Sequence, residues 1–249
     1  MNISLLKYFF KKNWLLWLGF TAFLLFELVV CIFMMDLIAE MMPEWFLGGI
    51  SGENTLGFIS YLLPLCGFMF PMVFYILLIY RMLHRPIDST SISPLFAAGV
   101  KRHAYITSAA IFLTLSLFAM FTTVFVVCGL CMLFWGAFNW GVWLGMVFCV
   151  FLVTLAVAFA SFFFAAAFAP NSAGKLGMVG LPIIFLVLFM ISEYINFFKY
   201  LTPFGWMDFA ALAAEALPLW WLWSLGFMAT SVTLYIGSVL IFRKRQLSI

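Results

Sequence analysis

The chain has 249 residues, 67% hydrophobic, 20% aromatic and only 8% charged, with a formal net charge of +3 and a mean hydropathy of +1.20. Nine acids and twelve bases cannot clothe a water-soluble domain of this size, so lipid is the solvent for most of its surface. A closed barrel is excluded too, because barrel strands alternate apolar and polar over roughly 10 positions, whereas runs such as L-L-W-L-G-F-T-A-F-L-L-F are apolar all round. Helices remain as the spanning element, since every backbone polar group in hydrocarbon needs an internal partner.

In chain order, residues 1–12 come first. Leu5, Leu6, Phe9 and Phe10 fall at helical spacing with Lys7 and Lys11 on another face. That pattern predicts a short interfacial helix in the headgroup layer, with a plain extension of the first span as the alternative. Six spans follow, at 14–35, 57–83, 104–134, 140–168, 176–192 and 218–242, each near the ~20 apolar residues that cross a bilayer. The first is too long for a signal-peptide core and lacks a small-residue cleavage site, so no removable signal is expected. Pro64 and Pro71 each remove a backbone donor from the second span and predict a kink. The third and fourth exceed the membrane thickness, which implies tilt or extension into water.

Between the second and third spans lies a polar interruption, Arg81–His103, with basic residues at both ends and a short apolar kernel. On the far side, M-M-P-E-W-F-L and the stretch 194–217 are rich in aromatics and broken by Pro and Gly. Aromatics at headgroup level serve as anchors, but 194–217 also suits a re-entrant helical hairpin roofing a cavity.

With six spans both termini share a side. Lys7, Lys11, Lys12, Arg81, Arg85, Lys101, Arg102, Lys175, Arg243, Lys244 and Arg245 then fall together, leaving only Lys199 opposite. Asp36, Glu40, Glu44, Glu53, Glu193, Asp208 and Glu215 lie on or near the other face. The positive-inside rule makes the basic side, and so both termini, cytoplasmic in a multi-pass plasma-membrane protein.

Reactive chemistry is sparse. No H-E-x-x-H, G-x-S-x-G or G-x-x-x-x-G-K-[ST] occurs, so the chain is expected to have no catalytic residues and no nucleotide site of its own. Cys31, Cys66, Cys128, Cys131 and Cys149 all fall within spans and read as packing residues. His84 and His103 flank the polar segment as interfacial residues without metal-site spacing. The exception is Glu27, about two-thirds of the way across the first span. A carboxylate there costs on the order of 2–3 kcal/mol unless relieved. It is either a cavity-lining acid in a transport pathway or a protonated acid bonded to a neighbouring helix.

The order of several features resembles the membrane subunits of ABC-2-type, or type V, ABC exporters. These features are L-L-K-Y-F-F-K-K-N-W at the N-terminus, the acidic loop M-M-P-E-W-F, the segment after the second span, and Y-L-T-P-F-G-W-M-D before a last span ending F-R-K-R-Q-L-S-I. Gln246 stands where such permeases commonly carry an acid. The resemblance implies an all-α integral membrane fold: a single transmembrane domain over 1–249, an interfacial helix, a coupling helix and a re-entrant pair before the last span. It implies pairing with a second permease subunit, identical or different, and docking on a separate ABC ATPase that holds ATP and Mg, with no cofactor on this chain. The coupling helix would lie near Ser91–Ala98, with Ser91, Ile92, Pro94, Leu95 and Phe96 at the ATPase and Arg85, Lys101 and Arg102 around the rim or against anionic lipid.

Cargo would then move past Glu27 and the Phe197–Phe198 region, with Pro64 and Pro71 as places of conformational alternation. An aromatic pathway favours hydrophobic or amphipathic cargo, peptides first. An ion-coupled carrier centred on Glu27 and a non-transporting scaffold or sensor remain as other readings of the same residues.

Overall fold

The computed structural model describes residues 3–34, 37, 55–88, 97, 99–135, 139–168, 171–192, 195–207, 209, 212 and 220–244. Six helices in it are long and apolar enough to cross a membrane, which makes this a multi-pass membrane protein. They are α1 (Ile3–Phe33), α2 (Thr55–Ile79), α3 (Arg102–Met132), α4 (Trp140–Phe168), α5 (Ser172–Ser192) and α6 (Trp220–Lys244). The span expected at 140–168 coincides with α4, and α5 begins four residues earlier than expected.

Side-chain contacts fix the directions of the helices. Phe20 meets Phe74 and Phe23 meets Phe70, so α1 and α2 are antiparallel. Trp143 donates from Nε1 to the Phe125 carbonyl at 2.9 Å, and Phe121 meets Phe151, so α3 and α4 are antiparallel as well. α6 runs parallel to α4, with Cys149 beside Ser224 and Phe159 beside Tyr235. The helices therefore alternate in direction. Lys7, Lys11, Lys12, Arg81, Arg85, Lys101, Arg102, Lys175, Arg243 and Lys244 gather at one end, called the basic end below.

The core is organised around α4. In its most apolar stretch 78% of residues are buried inside the protein, against 17% in α5, so α4 is the central column and α5 is peripheral. Each of its four neighbours approaches it at a glycine. A Cβ added at Gly67 of α2 would lie 3.2 Å from Val150, at Gly129 of α3 2.7 Å from Trp140, at Gly177 of α5 2.5 Å from Phe164, and at Gly237 of α6 3.1 Å from Phe163. Lipid tails are as apolar as Leu, so close van der Waals packing at small residues is what joins membrane helices. The glycines supply that packing.

α1 corrects one expectation. Residues 3–33 form one continuous helix, about 46 Å long at 1.5 Å per residue, not an interfacial helix of 1–12 followed by a span. No Pro or Gly falls between Ile3 and Leu18 to end the helix. Its first turns dock on protein rather than lying flat on lipid. Leu5 and Phe9 are buried, and Phe9 contacts Tyr105 and Phe112 of α3.

His84 is fully buried within the bundle rather than solvent-facing, because α2 continues past Ile79 as a π-helical segment, Tyr80–His84, and a last turn, Arg85–Asp88. The widened π turn, with the Arg85 N–H bonded to the Tyr80 carbonyl, carries His84 to the inside, where its ring stacks with Tyr80.

Candidate functional site: an acid in the seam and a clamped connection

The seam between α1 and α2 holds the one acid of the first span. Glu27 is half-buried, and the Cys66 thiol of α2 donates to its Oε1 at 3.8 Å. Its Oε2 is buried and meets no hydrogen-bond donor among the described residues. Cys31 lies one helical turn further along α1. Towards the basic end, the Phe23–Phe70 and Phe20–Phe74 ring pairs close the seam at 5.0 and 6.0 Å. A carboxyl group answered only by a thiol, a weak donor, offers an acceptor oxygen that suits an ammonium or N–H group. Among the described residues, no three His, Cys, Asp or Glu side chains are grouped to hold a metal ion.

Pro64 and Pro71 flank this acid on the α2 side, and both are buried. α2 remains helical through them, but neither can donate to the carbonyl four residues back, at Ser60 and Gly67. Gly67 is also where α2 touches α4 most closely. The helix is thus loosened beside Glu27 and pinned to the core within one turn of it.

At the basic end, the two arms of the 89–101 connection are fastened together. The Tyr105 hydroxyl, buried near the start of α3, donates to the Met82 carbonyl in the π segment at 2.6 Å. Phe9 of α1 packs edge-on against the Tyr105 ring at 5.5 Å. Leu83, His84, Ile87 and Ile106 are buried around the same point. Three helices therefore meet beneath the connection. Gly99, with φ +83°, makes the turn into α3, a conformation that favours glycine. Arg85 and Lys101 are exposed and Arg102 half-buried on the rim. Ser91, Ile92, Pro94, Leu95 and Phe96 lie outside the described residues.

At the opposite end, Asn196–Leu201 is a 3-10 helix with Phe197 exposed and in edge contact with Phe198. Among the described residues no hydrogen bond or ring contact links either of these to Glu27. Nine of the 24 residues of the stretch expected to form a re-entrant hairpin, 194–217, lie outside the described residues. The part that is described turns back onto the bundle. The Gly205 N–H caps onto Thr202 Oγ1 at 3.1 Å, and Phe204 inserts between Phe68 of α2 and Phe189 of α5 at 4.4 and 5.4 Å. Trp206 stacks on Phe227 of α6 and donates from Nε1 to the Tyr200 carbonyl.

Sequence reasoning missed Tyr105 and Phe204, and read Phe9 only as part of an interfacial stripe. In a chain that is one-fifth aromatic, no local signal separates a ring that fastens two helices from one that faces lipid. No protein-family model, curated protein or solved structure matches the chain.

Proposed function

We propose that this chain is the transmembrane permease subunit of an ATP-driven exporter. It works with a second permease subunit and a separate ABC ATPase, and it moves hydrophobic or amphipathic cargo, peptides first, out of the cell. The observation that supports this most is the clamp beneath the 89–101 connection. Through the Tyr105–Met82 bond and the Phe9–Tyr105 contact, a displacement imposed on that connection acts on α1, α2 and α3 together. A flexible linker would dissipate such a push, whereas a fastened one transmits it as rigid-body motion. In this reading the basic end is cytoplasmic, Leu95 and Phe96 fill an apolar groove on the ATPase, and Arg85, Lys101 and Arg102 pair with acids around it.

The push reaches Glu27 through α2. Its proline-loosened stretch lets the α1–α2 seam open while Gly67 holds the helix to α4. Glu27 then receives a cationic group of the cargo, such as a lysine side chain or an amino terminus. ATP and Mg bind the partner, and this chain performs no catalysis.

Glu27 also favours a second reading, an ion-coupled carrier that needs no ATPase, because intramembrane acids are functional by default. Co-purification of the tagged chain with candidate ABC ATPases separates the two. The exporter reading expects a stable complex that is lost in Leu95→Asp, Phe96→Asp. A carrier would transport cargo down an imposed ion gradient with no ATPase bound.

A further inference from the structure

Beside the basic end, α1 and α3 enclose a groove of about 500 Å³ that belongs neither to the Glu27 seam nor to the clamp. One wall is a single face of α1, with Leu6, Phe10, Trp14 and Trp17. The other is a single face of α3, with Phe112, Leu115, Ser116, Phe118 and Ala119. The walls are fixed to each other. Trp17 donates from Nε1 to the Ser116 carbonyl at 2.9 Å, and Phe112 is held by Phe9. The lining is apolar apart from Ser116 and Lys7, and Lys7 stands at the basic end of the groove with its ammonium exposed.

We propose that this groove binds an anionic phospholipid, with one acyl chain along Phe10, Trp14 and Leu115 and the phosphate on Lys7. Phe10, Trp14, Leu115 and Phe118 along the groove are exposed on the apolar flank of the bundle, so a lipid chain reaches it without crossing protein. Lys7 reaches the headgroup layer by laying its own methylenes along the apolar wall. Basic pockets between membrane helices hold anionic headgroups in just this way. The charge pattern selects the lipid class. The first 26 residues carry Lys7, Lys11 and Lys12 and no acid. Only Lys7 of these lines the groove; a zwitterionic headgroup brings its own ammonium against it, whereas an anionic one does not. The same pattern disfavours a second copy of the chain as occupant. Two copies in one membrane share orientation, and joining them groove to groove would set three lysines against three.

Native mass spectrometry of the detergent-purified chain tests this with dioleoyl phosphatidylglycerol and dioleoyl phosphatidylcholine. The parent should bind the anionic lipid about fivefold more tightly, the contribution of one lysine at the membrane surface. Lys7→Gln should erase that preference and leave chain binding intact. Ala119→Trp fills the groove and should weaken both lipids, whereas Ala229→Trp on the exposed side of α6 should weaken neither. If Ala119→Trp does not fold, Leu115→Trp replaces it. The proposal fails if the parent shows no preference, if the preference survives Lys7→Gln or groove filling, or if inorganic phosphate alone displaces the lipid. It also fails if groove filling instead abolishes a dimer. None of these outcomes depends on an ATPase, so the exporter reading stands or falls separately.

Discussion

In the proposed exporter, Glu27 sets stability against function. Its Oε2 has no donor opposite it among the described residues, and an unsatisfied buried polar atom costs about 1–3 kcal/mol. Glu27→Leu should therefore raise the temperature at which the detergent-solubilised chain loses its fold, while abolishing uptake of cationic peptides into inverted vesicles. A variant that is destabilised, or that still transports, contradicts the role given to this acid. Packing at the glycines is tested separately. Gly177→Ala places a methyl 2.5 Å from the Phe164 ring and 3.1 Å from its Cβ, so the ring cannot simply swing aside. Overpacking of this kind costs about 1–3 kcal/mol. Gly180→Ala, with nothing within 4 Å, should leave thermal stability unchanged. Equal melting of the two variants would argue against the close approach of α5 to α4.

Among the elements, α2 and α3 carry the mechanical argument. Tyr105→Phe keeps the ring against Phe9 but removes the hydroxyl that holds Met82. It should cost about 1 kcal/mol in stability and lower cargo-stimulated ATP hydrolysis several-fold, with the ATPase still bound. Full stimulation in this variant would show that the Tyr105–Met82 bond does not transmit the stroke. Pro71→Ala restores a donor for the Gly67 carbonyl and stiffens α2 beside the acid. Turnover should fall although stability rises.

These elements were legible from the sequence to different degrees. Length and apolarity place every span, and α4 falls where its apolar run predicts because Asn139 caps its start and Pro170 follows its end. The start of α1 was not legible. Leu5 and Phe9 make the same helical stripe whether it faces lipid or the flank of α3, and only the tertiary partner decides. His84 was hidden for a similar reason. One extra residue in a π turn rotates every later side chain, and nothing in Y-R-M-L-H marks that turn.

For the whole molecule, a central α4 is surrounded by helices that touch it at glycines, with α1 docked outside on α2 and α3. This arrangement gives one central column with the other helices packed around it. The basic end gathers the clamp, the exposed lysines and arginines and the α1–α3 groove, while Glu27 and the Phe204 insertion lie towards the other end. In the proposed exporter, energy enters at the basic end and is used near the other.

The most direct test is ATP hydrolysis by the chain reconstituted in lipid vesicles with a co-purified ABC ATPase, measured with and without amphipathic cationic peptides. An exporter role requires a stable complex whose hydrolysis rises with peptide in the parent, rises far less in Tyr105→Phe, and is lost with the complex in Leu95→Asp, Phe96→Asp. A chain that binds no ABC ATPase, or that moves peptide equally well without one, contradicts it.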